Sequence, residues 1–202
     1  DHNAMEIAQK RWDSIAKPLH SLGKLETLLI QIAGITGNAE VDLSRRGLIA
    51  MCADNGVVEE GVTQTGQEVT AIVAENFLKY DTSVGVMCKQ NHAEIFPVDM
   101  GMVTDTKVRT DHKIAYGTQN MTKGPAMTRE QAVKGLEAGI DMVRELNDKG
   151  YRILATGEMG IGNTTTSSAV ASVLLKQPVE EMTGRGAGLT SEGLVRKINA
   201  IK

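Results

Sequence analysis

The sequence predicts an α/β fold, a parallel sheet with helices on both faces, preceded by a helical segment. Three observations carry this reading. Short apolar runs of strand length, residues 47–53, 93–98 and 151–156, alternate with longer stretches of helical periodicity. Two of the runs deliver polar residues at their carboxyl ends, Asp54 and Asn55 after the first and Asp99 after the second, where open parallel sheets bind ligands. The third feeds a glycine-rich stretch, residues 157–163, and then a small-residue helix opening at Thr164. Three strands make a thin sheet, so weak strands or a sheet completed elsewhere are expected.

Taken in order, residues 4–15 have helical periodicity and Pro18 interrupts them. Leu22, Leu25, Leu28, Leu29 and Ile32 then fall on one face of an amphipathic helix that ends near Gly34 or Gly37. A further short helix is expected over residues 41–44, which makes residues 1–44 a helical segment apart from an α/β domain over 45–202. Residues 57–67 (VVEEGVTQTGQ) form a polar loop, longer than a plain strand-to-helix connection needs. Residues 68–90 read as two helices broken near residues 80–83, and residues 102–123 as a long loop without periodicity. Thr128 and Gln131 make a capping box for a helix that stops at Gly150. The helix from Thr164 reaches about Lys176 and ends at Pro178. Arg185 lies in a flexible GRGAG stretch, and a last helix from Ser191 carries Arg196 and Lys197. The chain opens at Asp1 without methionine and stops inside that helix, so a domain incomplete at its C-terminus is expected.

Composition excludes several classes. Lysine and arginine total 22 against 25 acidic residues, a net charge of −3 with no basic run, which argues against nucleic acid as a partner. No apolar stretch approaches the ~20 residues of a membrane span, and no leader is visible, so a cytoplasmic protein is expected. Cys52 and Cys88 read as two reduced, buried thiols. His2, His20, His92 and His112 are scattered without ligand spacing, so no metal site is expected, and no cofactor.

The chemistry concentrates after the third strand. Gly157, Gly162, Asn163 and Thr164 fit the phosphate-loop pattern G-x-x-x-x-G-K-[ST] at every position except the lysine, where Asn163 stands. Without that cation a triphosphate is poorly served, while a nucleoside monophosphate still fits. The competing reading is a strand-to-helix turn that needs only glycine's positive φ. Glu158 favours a ligand, because a carboxylate beside an anion-binding loop suits a ribose or a pyridinium-like ring. A triphosphate-hydrolysing domain with Asp99 as metal carboxylate is disfavoured by Asn163 and by Pro97 in its strand.

The segments WDSIAKPLHSLGKLE, ADNGVVEEGV, VTAIVAENF, FPVDMG, GTQNMTKGPAMT, GEMGIGNTTTSSA and GRGAGLTSEGLVRKI occur in this order over nearly the whole chain. In this they resemble the nicotinate-nucleotide:dimethylbenzimidazole phosphoribosyltransferase family of cobalamin lower-ligand assembly. The resemblance implies a Rossmann-like sheet with a small helical subdomain, a homodimer, and a metal-free transfer of phosphoribose from nicotinate mononucleotide to a benzimidazole-like base. It implies further that Gly160, Gly162 and Asn163 cradle the phosphate with Lys197 as its cation. Glu158 and Met159 would face ribose and base, and Gln67 and Glu75 would line the base pocket, favouring a base other than plain dimethylbenzimidazole. Three departures stand out. Asn55 replaces a usual histidine, Leu19 and His20 replace a proline and a glycine, and the family's general-base glutamate has no counterpart among these residues. The choice between a working transferase, with Glu158 as partial substitute, and a nucleotide- or base-binding chain without turnover therefore stays open.

Overall fold

The computed structural model describes residues 1–202 as two compact units, Asp1–Arg45 and Arg46–Lys202. In the first, α1 (His2–Ser14) packs on α2 (Lys24–Thr36) through the buried Ala4, Ala8 and Ala33. Gly37, at φ 67°, closes α2. The connection is held by an ion pair between Lys17 Nζ and the buried Glu26 at 2.9 Å, and Leu22 N–H donates to the same carboxylate. Lys17 keeps the Glu26 carboxyl below its usual pKa.

Two readings of this unit change. Leu25 and Leu28 stay exposed, because a two-helix unit buries only the facing stripe. Residues 41–44 form no helix. Asn38 and Asp42 side chains accept from the N–H groups of Glu40 and Ser44, two residues on, and such local bonds compete with a helical turn.

The second unit is built on β1 (Arg46–Ala53), flanked in parallel by β2 (Ala93–Gly101) and β3 (Ile153–Met159), in the order β2-β1-β3. Ala50 stands opposite Pro97 on one side and Gly157 on the other. Pro97 is tolerated because β2 is an edge strand. A short 3-10 turn follows β1 at Gly56–Glu60, and α3 (Glu68–Leu78) and α4 (Ser83–Gln90) return to β2. The break between those helices is set by Thr82, whose side chain caps Gly85 N–H. The helix α5 (Arg129–Asp148) carries both bonds of the capping box read from Thr128 and Gln131.

Side chains alternate across the central strand and give the sheet two covered faces. Ala50 and Cys52 pack with Ala71, Ala74 and Phe77 of α3, whereas Ile49 packs with Val98, Tyr151 and the α5 residues Met142 and Leu146. Tyr151 meets Phe96 edge-on at 5.2 Å. After β3 come α6 (Asn163–Leu175), the one-turn α7 (Val179–Met182) and α8 (Ser191–Ile201). α7 was not expected; Pro178 sits at its N-cap, a position compatible with proline's missing N–H. Apolar side chains of α5 (Val133, Leu136, Ile140, Val143) and α6 (Val170, Val173, Leu174, Leu175) remain exposed.

Candidate functional site

β3 continues through Gly157 and Glu158 to Met159, three residues past its expected end, because those residues pair with Ala50, Met51 and Cys52. The turn proper is therefore only residues 160–162. Gly160 presses so closely on β1 that a Cβ there would stand 2.2 Å from the Ala53 carbonyl oxygen. The backbone of the next residue is held from two sides. Ile161 N–H donates to Thr70 Oγ1 at 3.0 Å, and Asn55 Nδ2 donates to Ile161 O at 3.0 Å. Gly162, at φ 92°, is the N-cap of α6.

The start of α6 forms one wall of a cavity of about 150 Å³. Ile161, Gly162, Asn163 and Thr164 face Thr63, Gln64 and Thr65 from the polar loop, and the GRGAG stretch supplies Arg185 and Gly186. Gln64 Nε2 ties the two loops by donating to Gly188 O at 2.5 Å. From α8, Lys197 reaches the base of this arrangement, donating through Nζ to Thr164 Oγ1 at 2.7 Å and to Gly184 O at 3.1 Å. It is 1% exposed, and burial lowers its pKa. Gly186, at φ 56°, permits this close approach, since a Cβ there would lie 2.8 Å from Thr164 Oγ1 and 3.5 Å from Lys197 Nζ. The Asn163 and Thr165 N–H groups donate within the turn to Gly160 O and Gly162 O at 3.0 and 2.9 Å, so what the start of α6 offers a phosphate-sized anion is the Thr164 N–H, the helix dipole and the buried ammonium beside it.

Arg185 also lines the cavity, but its guanidinium donates to Leu189 O and Ser191 Oγ in its own loop. The side chain of Asn163 turns to Glu158, donating to both carboxylate oxygens at 2.7 and 2.9 Å. Glu158 is thereby oriented beside the start of α6 while remaining exposed. Met159 points to the opposite face and packs against the cluster of Ala50, Cys52 and Phe77. Gln67 donates to Asn55 O at 3.1 Å, and Glu75 accepts from Lys107 N–H at 3.2 Å, so these two candidates contact different loops.

The strand-end residues divide. Asn55 joins the site through Ile161. Asp54 and Asp99 are fully buried and turn to backbone instead: Asp54 accepts from Val103 N–H at 2.8 Å, and Asp99 from Gly101 and Met102 N–H at 2.9 and 2.8 Å. Lys113 Nζ pairs with Asp99 at 3.1 Å and lies over the Tyr116 ring. The two carboxylates thus order the long segment after β2. Burial raises the Asp54 pKa against hydrogen bonds from Val103 and Thr70 that lower it. Burial, reinforced by the nearby charge of Asp99, also pushes the Cys52 thiol up to about 12. Cys52 is therefore expected to resist iodoacetamide at pH 8 in the folded protein and to react only in denaturant, which mass spectrometry checks. Fast labelling of native protein would contradict its placement.

Sequence reasoning missed Thr70, Gln64 and Gly186. Thr70 lies 91 residues from Ile161, and no local pattern marks such a pair. A second, largely apolar cavity of about 360 Å³ lies at the ends of β1 and β2, lined by Met51, Met100, Ile114 and Met127 among others.

Known proteins share this arrangement of sequence and fold. A family model described as phosphoribosyltransferase matches residues 1–202. The nicotinate-nucleotide–dimethylbenzimidazole phosphoribosyltransferase of Ruminiclostridium cellulolyticum is 51% identical over 98% of this chain and 57% of its own length. That of Clostridium tetani is 46% identical over 100% of this chain and 56% of its own. A crystal structure of CobT from Thermus thermophilus superposes with a TM-score of 0.87 at 36% identity, covering 98% of this chain and 61% of that one. The chain thus spans a little over half the length of the curated relatives it matches.

Proposed function

Because the chain belongs to the phosphoribosyltransferase family, we propose that it forms the nucleotide-binding part of an enzyme that moves phosphoribose from nicotinate mononucleotide to a benzimidazole-type base, giving α-ribazole 5'-phosphate and nicotinate. The observation that carries this reading is the buried Lys197 ammonium at the N-terminus of α6, bonded to Thr164 beside the cavity that Thr164 and Gly186 line. In this reading Lys197, Thr164 and the backbone of Gly160, Gly162 and Asn163 hold the 5'-phosphate, and Arg185 shapes the loop that closes over it.

Glu158, held by Asn163, faces the ribose and the leaving ring. The bond from the ribose anomeric carbon to the pyridinium nitrogen breaks, and nicotinate leaves as a neutral ring nitrogen without being protonated. The unprotonated ring nitrogen of the base attacks the same carbon, and the proton on the other ring nitrogen must then be lost. Glu158 is the carboxylate this chain offers as acceptor, and a positioned base contributes typically ~10²- to 10⁴-fold. Met159, Gln67 and Glu75 are the base-facing candidates. Asp54 and Asp99 serve by ordering the segment around the strand ends, and Asn55 by bracing the anion loop.

In this reading the protein serves cobalamin nucleotide-loop assembly in the cytoplasm. No helix is long and apolar enough to cross a membrane. The exposed apolar faces of α5 and α6 suit a homodimer. A second reading is binding of the nucleotide without turnover. The test is nicotinate release from nicotinate mononucleotide with and without dimethylbenzimidazole, on this chain and on Glu158→Ala. Base-dependent release that falls about tenfold or more in the variant is expected. Binding of the nucleotide without any release would favour the second reading.

A further inference from the structure

Ile161 sits between Gly160 and Gly162, the two residues of the anion loop that have no side chain to anchor them. Left alone, such a tripeptide samples many orientations, and a ligand that selects one of them binds more weakly by the fraction of time the loop spends there. Here both polar groups of the Ile161 residue are taken by side chains from rigid elements. Thr70, fully buried in α3, accepts its N–H, and Asn55, just past β1, donates to its carbonyl. Asn55 is itself braced. Gln67 donates to its backbone carbonyl at 3.1 Å.

We propose that Thr70 and Asn55 are positioning residues that clamp the Ile161 peptide and so pre-set the phosphate-binding turn before the nucleotide arrives. The proposal rests on the reading of the α6 N-terminus as a phosphate site and adds how that site is kept formed. It assigns the pair an effect on nucleotide affinity and KM and none on the bond-breaking step. The donor at position 55 is the feature that matters, so a histidine N–H could replace the Asn55 amide, whereas a carboxylate could not.

The test compares the wild-type chain with Thr70→Val, which keeps the shape but removes the acceptor, and Thr70→Ser, which restores it. Two quantities are measured: amide hydrogen exchange of Ile161 in the ligand-free protein, and affinity for nicotinate mononucleotide by calorimetry. Thr70→Val is expected to speed Ile161 exchange and weaken the nucleotide about tenfold, as the loss of one buried hydrogen bond implies, and Thr70→Ser to recover both. Asn55→Asp is the second variant should Thr70→Val fold poorly, and it is expected to weaken binding at least as much.

Unchanged Ile161 exchange in Thr70→Val, or failure of Thr70→Ser to recover it, would overturn the clamp. Faster exchange with unaltered affinity would overturn its role in binding. A wild-type chain whose Ile161 exchange depends on Thr70 but which binds no nucleotide would overturn the phosphate reading, and with it the clamp's function.

Discussion

Lys197→Met is expected to weaken nicotinate mononucleotide binding by about tenfold to a hundredfold while leaving the ligand-free protein at least as stable as the wild type. The two halves have one cause. Lys197 is 1% exposed, hydrogen-bonded to Thr164 and Gly184, and burial alone accounts for its lowered pKa. Because the folded pKa lies below the unfolded value near 10.5, the unfolded chain binds more protons between those two values. Stability of the free protein therefore rises with pH through that window, and at neutral pH the full cost of burying the charge is in force. Methionine has similar length and no charge, so it removes that cost against the loss of two hydrogen bonds. A bound phosphate supplies the missing countercharge, and a charge-assisted hydrogen bond of this kind contributes about 1.5–3 kcal/mol. Thermal unfolding with and without nucleotide reads both effects. A variant that melts earlier when free and keeps its ligand-induced shift would mean that Lys197 is structural.

Gly160→Ala is expected to destabilise the fold by about 2–4 kcal/mol and to eliminate nucleotide binding. Its Cβ would stand 2.2 Å from the Ala53 carbonyl oxygen and 3.1 Å from Asn55 Nδ2. Ala53 ends the central strand and cannot retreat, so the turn has to leave, taking the start of α6 with it. Gly157→Ala is the control, since its nearest neighbour would be Leu48 Cδ2 at an ordinary 3.5 Å. Urea unfolding should show a large drop in midpoint for the first variant and little for the second. Similar behaviour of the two would contradict the close approach of the turn to β1.

The contrast between Gly157 and Gly160 also shows what the sequence could reveal. Apolar runs of strand length and a capping box made the sheet and α5 legible, because burial and local bonds leave patterns within a few residues. Gly157 looked like the first residue of a turn, yet pairing with Ala50 keeps it in β3, and pairing is not a local property. Residues 41–44 failed as a helix for the opposite reason, a local bond at Asp42 that outweighs a weak helical pattern.

At the site, the glycines and Thr164 were readable from spacing alone. Lys197 was not, because a lysine in an amphipathic helix normally faces water, and the resemblance rather than the pattern pointed to it. Asp54 and Asp99 stood where ligands bind in open sheets, but the long segment after β2 supplied backbone N–H groups that captured both. Thr70 gave no signal, since its importance depends on a turn formed far along the chain.

The cavity at the start of α6 is expected to recognise a phosphate. Calorimetric titration of this chain with nicotinate mononucleotide and with nicotinate riboside, which differs only in lacking the phosphate, tests it most directly. The nucleotide is expected to bind at least about tenfold tighter, with the difference disappearing in Lys197→Met. Equal affinity for the two compounds would contradict it.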